Sequence, residues 1–269
     1  MQPLRPATLL LLAGASGGWF AGVAMAQDAG LFRSPRLINL DTGVTLSQGH
    51  WYLSTDFRSF DDPESGTHGD FEARYGLCED WEVGLVYAFS EQRLHDTGRV
   101  LLRHGGTSLD LKARRALKQT RRAGVAISMG LESPNTPAQN EPHFHAGLPV
   151  SWRLTRNVTA HVVPELVFLR DNTLFALGVG VEGRITDHLR LLGEWTPLLD
   201  GQNTRDRLGL LAKDNLWAGA VRLLPGDNDE VTIDLGVTNA TGRAMSLSVE
   251  PGLLDSVAFY GSVNWQPRR

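Results

Sequence analysis

Cysteine is almost absent from this chain. Cys78 is the only one in 269 residues, which excludes an intrachain disulfide framework and any thiolate-based metal site. Long hydrophobic runs are also missing beyond the first 26 residues: no later stretch approaches the roughly 18 uninterrupted apolar residues of a spanning helix. An excess of positive charge is lacking as well. With Lys and Arg numbering 26 against 30 Asp and Glu, the net charge is −4, so there is no basic footprint for DNA or RNA. A cofactor loop is not legible either. Gly178-Val-Gly180-Val-Glu-Gly183 contains closely spaced glycines, but no helical pattern follows them, and they read as strand glycines that relieve curvature or crowding. No cofactor is expected.

What is present begins with an export signal. Arg5 supplies a positive start, Thr8 to Val23 is apolar or small, and Ala24-Met25-Ala26 fits the small-x-small cleavage rule. The mature chain is expected to begin near Gln27, after a signal peptide over 1–26.

The rest reads as short segments of period-2 alternation separated by turn residues, a strand pattern and not a helical one. About twelve are predicted, at 50–60, 69–77, 81–91, 106–117, 121–132, 143–154, 158–169, 174–185, 188–198, 214–224, 230–239 and 256–265. Links of alternating character join them. Short turns fall near Cys78-Glu79-Asp80, Lys118-Gln119-Thr120, Thr155-Arg156-Asn157, Thr186-Asp187 and 225–229. Longer polar loops fall at 61–68, 92–105, 133–142, 201–213 and 240–255, and only the link around Asp171-Asn172-Thr173 breaks the alternation by being short. Short turns on one rim and long loops on the other belong to transmembrane barrels.

Splitting each segment into its two faces sharpens this, because successive side chains point to opposite sides of a strand. One face is nearly free of charge, from Trp51, Leu53 and Phe57 through Val158, Val162 and Leu166 to Val263 and Trp265; Arg115 alone interrupts it, near a rim where a long side chain reaches the headgroups. Aromatics sort to its two ends: Trp51, Tyr75, Trp81, Trp152 and Trp265 at one, Phe57, Phe71, Phe89, Phe144, Phe168, Phe175, Trp195 and Trp217 at the other. Two aromatic girdles suit a lipid-facing band, whereas a sandwich core has no reason to sort aromatics that way. The expected fold is therefore all-β, a transmembrane antiparallel up-and-down β-barrel of about 12 strands over 49–265. An N-terminal periplasmic segment is expected at 27–48 and a C-terminal tail at 266–269.

The stretch from Leu40-Asp-Thr-Gly to His50-Trp-Tyr-Leu53, the hairpin Tyr75-Gly-Leu-Cys-Glu-Asp-Trp-Glu-Val-Gly-Leu85 and Leu192-Gly-Glu-Trp-Thr-Pro197 resemble poorly characterised bacterial outer-membrane barrel proteins of the porin-like, transporter-like kind. The likeness spans most of residues 36–265. Such barrels usually end on an aromatic residue, and here Trp265 closes the last alternating segment before Gln266-Pro-Arg-Arg269. The resemblance implies the bacterial outer membrane as location, with outer-membrane lipid, the outer-membrane assembly machinery and small hydrophilic solutes as partners.

The second face is charged and is expected to line a lumen: Asp56, Arg58, Glu72, Arg74, Asp110, Lys112, Arg114, Arg153, Glu165, Glu182, Arg184, Arg190 and Glu194. Twelve strands lie between the eight that leave room only for side chains and the 16 to 18 that leave an aqueous channel. A narrow porin-like channel is one outcome; a closed, non-conducting barrel with a structural or surface-binding role is the other. His143 and His145, at i and i+2 on one face, are weak metal candidates. A lipid-modifying barrel enzyme would need a serine activated by a histidine on the lipid face. The lipid-facing positions hold no such pair, so no enzyme is expected. Intact-mass measurement of protein from washed outer membranes should give a chain starting at or near Gln27, and recovery in the soluble periplasmic fraction would contradict the barrel reading.

Overall fold

The computed structural model describes residues 34–61, 66–96, 99–135, 141–170, 172–205, 211–226, 230–240, 242–243 and 257–267. The expected signal peptide and the last two residues of the expected tail lie outside them. Its strands are β1 (Trp51–Phe60), β2 (Thr67–Gly76), β3 (Trp81–Asp96), β4 (Arg99–Gln119), β5 (Ala123–Asn135), β6 (His143–Gly147), β7 (Val150–Arg153), β8 (Val158–Phe168), β9 (Thr173–Arg184), β10 (Leu189–Thr196), β11 (Leu198–Asp200), β12 (Thr204–Arg205), β13 (Leu211–Ala212), β14 (Leu216–Leu223), β15 (Val231–Thr238) and β16 (Ala258–Trp265).

Every wall pairing is antiparallel and joins neighbours along the chain. The sheet closes where β1 meets β16, with Leu53 opposite Trp265 and Phe60 opposite Ala258. Closure leaves no unpaired sheet edge, the condition for crossing a bilayer with strands. The wall has twelve strands, because two of them are broken in the middle by proline. β6 and β7 are separated by Leu148-Pro149 and both pair with β5 and β8. β10 and β11 are separated by Pro197 and both pair with β9. Proline has no N–H to give to a ladder, so it breaks the strand without breaking the wall.

Two expected loops turn out differently. The segment 92–105 continues the β3–β4 ladder as far as Asp96 opposite Arg99, since a hairpin can rise past the membrane wherever its backbone groups pair with each other. In 201–213, β12 and β13 form a small separate ladder.

The apolar face looks outward. Trp51, Phe57, Phe71, Leu111, Leu131, Trp152, Val162, Leu191, Trp195, Leu235, Phe259 and Val263 are all exposed. Buried positions alternate with them, and in β1, β2 and β8 they are mostly polar or charged. A water-soluble fold has the opposite arrangement. Trp51 stacks on Tyr75 at 4.6 Å on the short-turn rim, and Phe144 meets Phe168 at 5.8 Å towards the other. Placing an arginine in the middle of this band, as Leu85→Arg or Val162→Arg, should cost about 2–4 kcal/mol and abolish the heat-modifiable folded band on gels. Wild-type yields of folded protein from both variants would mean that this surface does not face lipid.

Candidate functional site

The lumen is where the chain concentrates its charge. Among the described residues, eight Lys and Arg side chains and eleven Asp and Glu side chains are buried. Out of bulk water, a charge is costly unless protein groups meet it.

Part of the answer comes from residues 34–49. A periplasmic segment was expected at 27–48; its described residues, from 34, are bonded to the inner wall of the barrel. It enters at the short-turn mouth, where Ser34 shares a recess with Arg190, Arg222, Leu224 and Glu230. It then turns over within the lumen: Leu37 N–H donates to the Leu40 carbonyl at 2.9 Å, Thr42 N–H to the Pro35 carbonyl at 2.9 Å, and the backbones of Arg36 and Asp41 form an isolated antiparallel β-bridge. The return limb reaches the mouth again at Gly49, whose φ of 75° suits glycine, and the chain passes into β1. The segment is thus a re-entrant hairpin with its tip at 37–40.

The wall holds this hairpin through side chains. Glu194 on β10 accepts the tip's backbone N–H groups from Ile38 at 2.6 Å, Asn39 at 2.9 Å and Leu40 at 3.2 Å. A buried carboxylate is well satisfied by such a set of donors. Arg74 on β2 reaches Asp41 at 2.5 Å, Glu72 at 2.6 Å and Glu82 at 3.2 Å. Arg36 pairs with Glu72 at 3.1 Å. Arg114 pairs with Glu82 at 2.9 Å and donates to the carbonyls of Thr42 and Val44. On the return limb, Leu46 N–H donates to Glu82 at 2.7 Å and Gly43 N–H to the Ser151 hydroxyl at 2.7 Å.

Glycines make the room. A Cβ on Gly178 would stand 2.4 Å from Leu40, and one on Gly180 2.4 Å from Leu37. A Cβ on Gly43 would stand 2.1 Å from the carbonyl oxygen of Gly124 on β5, so hairpin and wall meet there backbone to backbone. The crowding expected of these strand glycines is therefore contact with the hairpin.

From the long-loop side a second residue enters. Arg243 is fully buried; its guanidinium lies 3.0 Å from Asp56 and donates to the Tyr260 hydroxyl at 2.6 Å and to Ser54. Its backbone N–H donates to Asp70 at 2.8 Å, and its carbonyl accepts from Arg36 at 2.7 Å. The two insertions meet at that last bond.

Of the residues read from sequence as lumenal, Asp56, Arg58, Glu72, Arg74, Asp110, Lys112, Arg114, Glu165, Glu182, Arg190 and Glu194 are buried. Arg58 pairs with Asp56 at 2.9 Å, Lys112 with Asp110 at 3.3 Å and Arg190 with Glu182 at 2.7 Å. Arg153 and Arg184 end their strands on the short-turn rim and are half-buried; Arg184 pairs with the exposed Asp187 in the turn. His145 is engaged by Asp110 at 2.7 Å, and no group of three or more His, Cys, Asp or Glu among the described residues is arranged to hold a metal. Sequence reasoning did not find Arg36, Asp41 or Arg243. The one signal for the hairpin was Leu37-Ile38-Asn39-Leu40, three apolar residues in a segment assigned to water.

Burial alone would raise the Asp41 carboxyl, but Arg74, Lys112, Arg114 and Arg36 around it hold it well below the usual carboxylate range. A depressed folded-state value means that this contribution to docking is complete above the ordinary aspartate pKa of about 3.9 and is lost as pH falls through the folded value. The hairpin of the folded barrel should thus resist pepsin near pH 4 and become cleavable around Leu37 and Leu40 only in stronger acid. Gly43→Val, which cannot approach Gly124, should be cut at both pH values. Cleavage of wild type at pH 4 would show that the hairpin is not docked.

No family model and no curated protein matches the chain. Among solved structures, the KdgM porin superposes with a TM-score of 0.55 at 8% identity, over 81% of this chain and 99% of its own. The KdgM porin in complex with disordered oligogalacturonate gives 0.56 at 8% identity over the same shares. The NanC porin gives 0.55 at 9% identity, over 80% of this chain and 98% of its own. At such identities the likeness is one of architecture, and by its architecture the chain is an antiparallel β-barrel of the kind found in these porins.

Proposed function

We propose that this chain is a bacterial outer-membrane barrel that serves as a narrow porin-like channel for small hydrophilic solutes, closed at rest by its own N-terminal hairpin. One observation carries the reading: most of the contacts between hairpin and wall are ion pairs and hydrogen bonds, and the apolar part is confined to the tip, where Leu37 and Ile38 pack on Leu192, Ala218, Ala220 and Tyr260 and the leucines fill the space at Gly178 and Gly180. Withdrawing the hairpin would uncover a surface that is mostly charged and water-compatible, with one small apolar patch at Leu192, Ala218 and Ala220. The lumen then left behind, with Arg243 included, still holds three more buried carboxylates than cations among the described residues, and charge lining a low-dielectric passage acts strongly on ions inside it. The open passage should favour cations. One of the similar porins was solved with oligogalacturonate; the acidic surplus here does not favour a polyanion as solute.

A closed barrel with a structural or surface-binding role is supported by the number of bonds that hold the hairpin. The enzyme reading gains less. Ser151 and His161 do form a pair at 2.8 Å, but it faces the lumen and takes a hydrogen bond from the hairpin, away from any lipid substrate.

In planar bilayers, wild type should conduct rarely, whereas a variant lacking residues 34–46 should show frequent openings with a reversal potential displaced towards cations under a salt gradient. Arg74→Ala with Arg114→Ala should act in the same direction, because these arginines grip Asp41, Thr42 and Val44. Removing one partner of a buried pair costs about 3–5 kcal/mol, so the heat-modifiable band is checked for each variant. Absence of conductance in the folded deletion variant would refute the channel and leave the closed barrel.

A further inference from the structure

The short-turn rim is not uniform in charge. Glu79 and Asp80 lie in the turn before β3, and Asp187 in the turn before β10. Between them, the end of β4 carries exposed Lys118, and the turn joining β4 to β5 and the turn joining β7 to β8 carry exposed Arg121, Arg122 and Arg156 and no carboxylate. The two turns are neighbours: Arg153 N–H donates to the Arg122 carbonyl at 2.8 Å, and Ala123 stands opposite Trp152. None of these four exposed cations forms an ion pair among the described residues. A few ångströms towards the membrane centre, the outer surface of the same arc shows Trp152 and Leu154, each 61% exposed, and Leu117. Arg115, the one charge on the apolar face, lies over the Trp81 ring at 5.7 Å on the same rim.

We propose that this arc is a docking surface for anionic phospholipid headgroups of the leaflet at the short-turn side. The proposal rests on the membrane-barrel reading but not on the channel. Exposed Trp and Leu mark where acyl chains end and headgroups begin. Cations just beyond that level meet phosphate oxygens, to which a guanidinium gives paired hydrogen bonds. The acidic turns on either side limit the site to one sector of the rim. An acidic soluble protein suits the arc less well, because the Trp and Leu collar would hold it against the bilayer surface.

The test uses the whole mature protein, refolded into phosphatidylcholine vesicles with trace spin-labelled phosphatidylglycerol or spin-labelled phosphatidylcholine. Motional restriction of the two probes gives their relative association with the barrel. Wild type should hold phosphatidylglycerol at least fivefold over phosphatidylcholine, the ratio that about 1 kcal/mol for a single surface cation represents, and salt should weaken the preference. Arg121→Gln, Arg122→Gln and Arg156→Gln together should bring the ratio close to one, while Glu79→Gln with Asp80→Asn should not lower it. Equal association of both lipids with folded wild type, or a preference that survives the triple substitution, would overturn the proposal. Failure of wild type to insert into vesicles at all would instead count against the membrane-barrel reading.

Discussion

The structure depends on one constraint: charges enclosed in a narrow barrel have too little water to solvate them. Carboxylates and guanidinium groups on the inner wall must find partners in the protein, because an unmet buried charge costs several kcal/mol. Pairs within the wall, such as Arg222 with Asp234 at 2.7 Å, answer part of this demand. The rest is answered by inserted chain. Glu194 has backbone N–H groups instead of a cation, and Arg114 has backbone carbonyls as well as Glu82. A reverse turn suits such a wall because it offers donors at its tip and carbonyls along its limbs.

The same alternation that fills the lumen with charge gives the barrel its exterior. Each strand offers every second residue to lipid, so Trp, Phe, Leu and Val are exposed where water would disfavour them. Gaining the one surface entails the other, since a one-residue slip of register would exchange them. Prolines are tolerated where they interrupt a strand briefly, as at Pro149 and Pro197, because the residues on either side still pair with the same neighbours.

Much of this was legible in the sequence for a physical reason. Strand alternation is local, and the two faces can be sorted without knowing what any strand touches. The outward positions, the aromatic ends and the lumenal side of Asp56, Glu72, Arg74 and Glu194 follow from it. The hairpin does not. Arg36 meets Glu72, Ile38 meets Glu194, and the Arg243 carbonyl meets Arg36, contacts between residues far apart in sequence that no period announces. Arg243 belongs to a segment that reads as an ordinary polar loop. Arg153 and Arg184 share the inward alternation but stand at strand ends, where the lumen opens to the rim; alternation gives the face and not the depth.

The way in which the hairpin is held also bears on whether it can leave. The barrel's own ladder closes between β1 and β16, and the hairpin supplies none of those pairings. Its grip passes mainly through wall side chains, with a backbone contact at Gly43 and Gly124, and its covalent tie to the wall is the short run through Gly49 into Trp51. A hairpin attached in this way can move without unzipping a strand. If it moved, the charges left behind would be wetted by the water that replaced it, so each lost ion pair would be offset in part by hydration. The apolar contacts of Leu37 and Ile38 have no such compensation on opening, but they are the smaller part of the grip, and the polar part keeps a dry closed state and a wet open state within reach of each other.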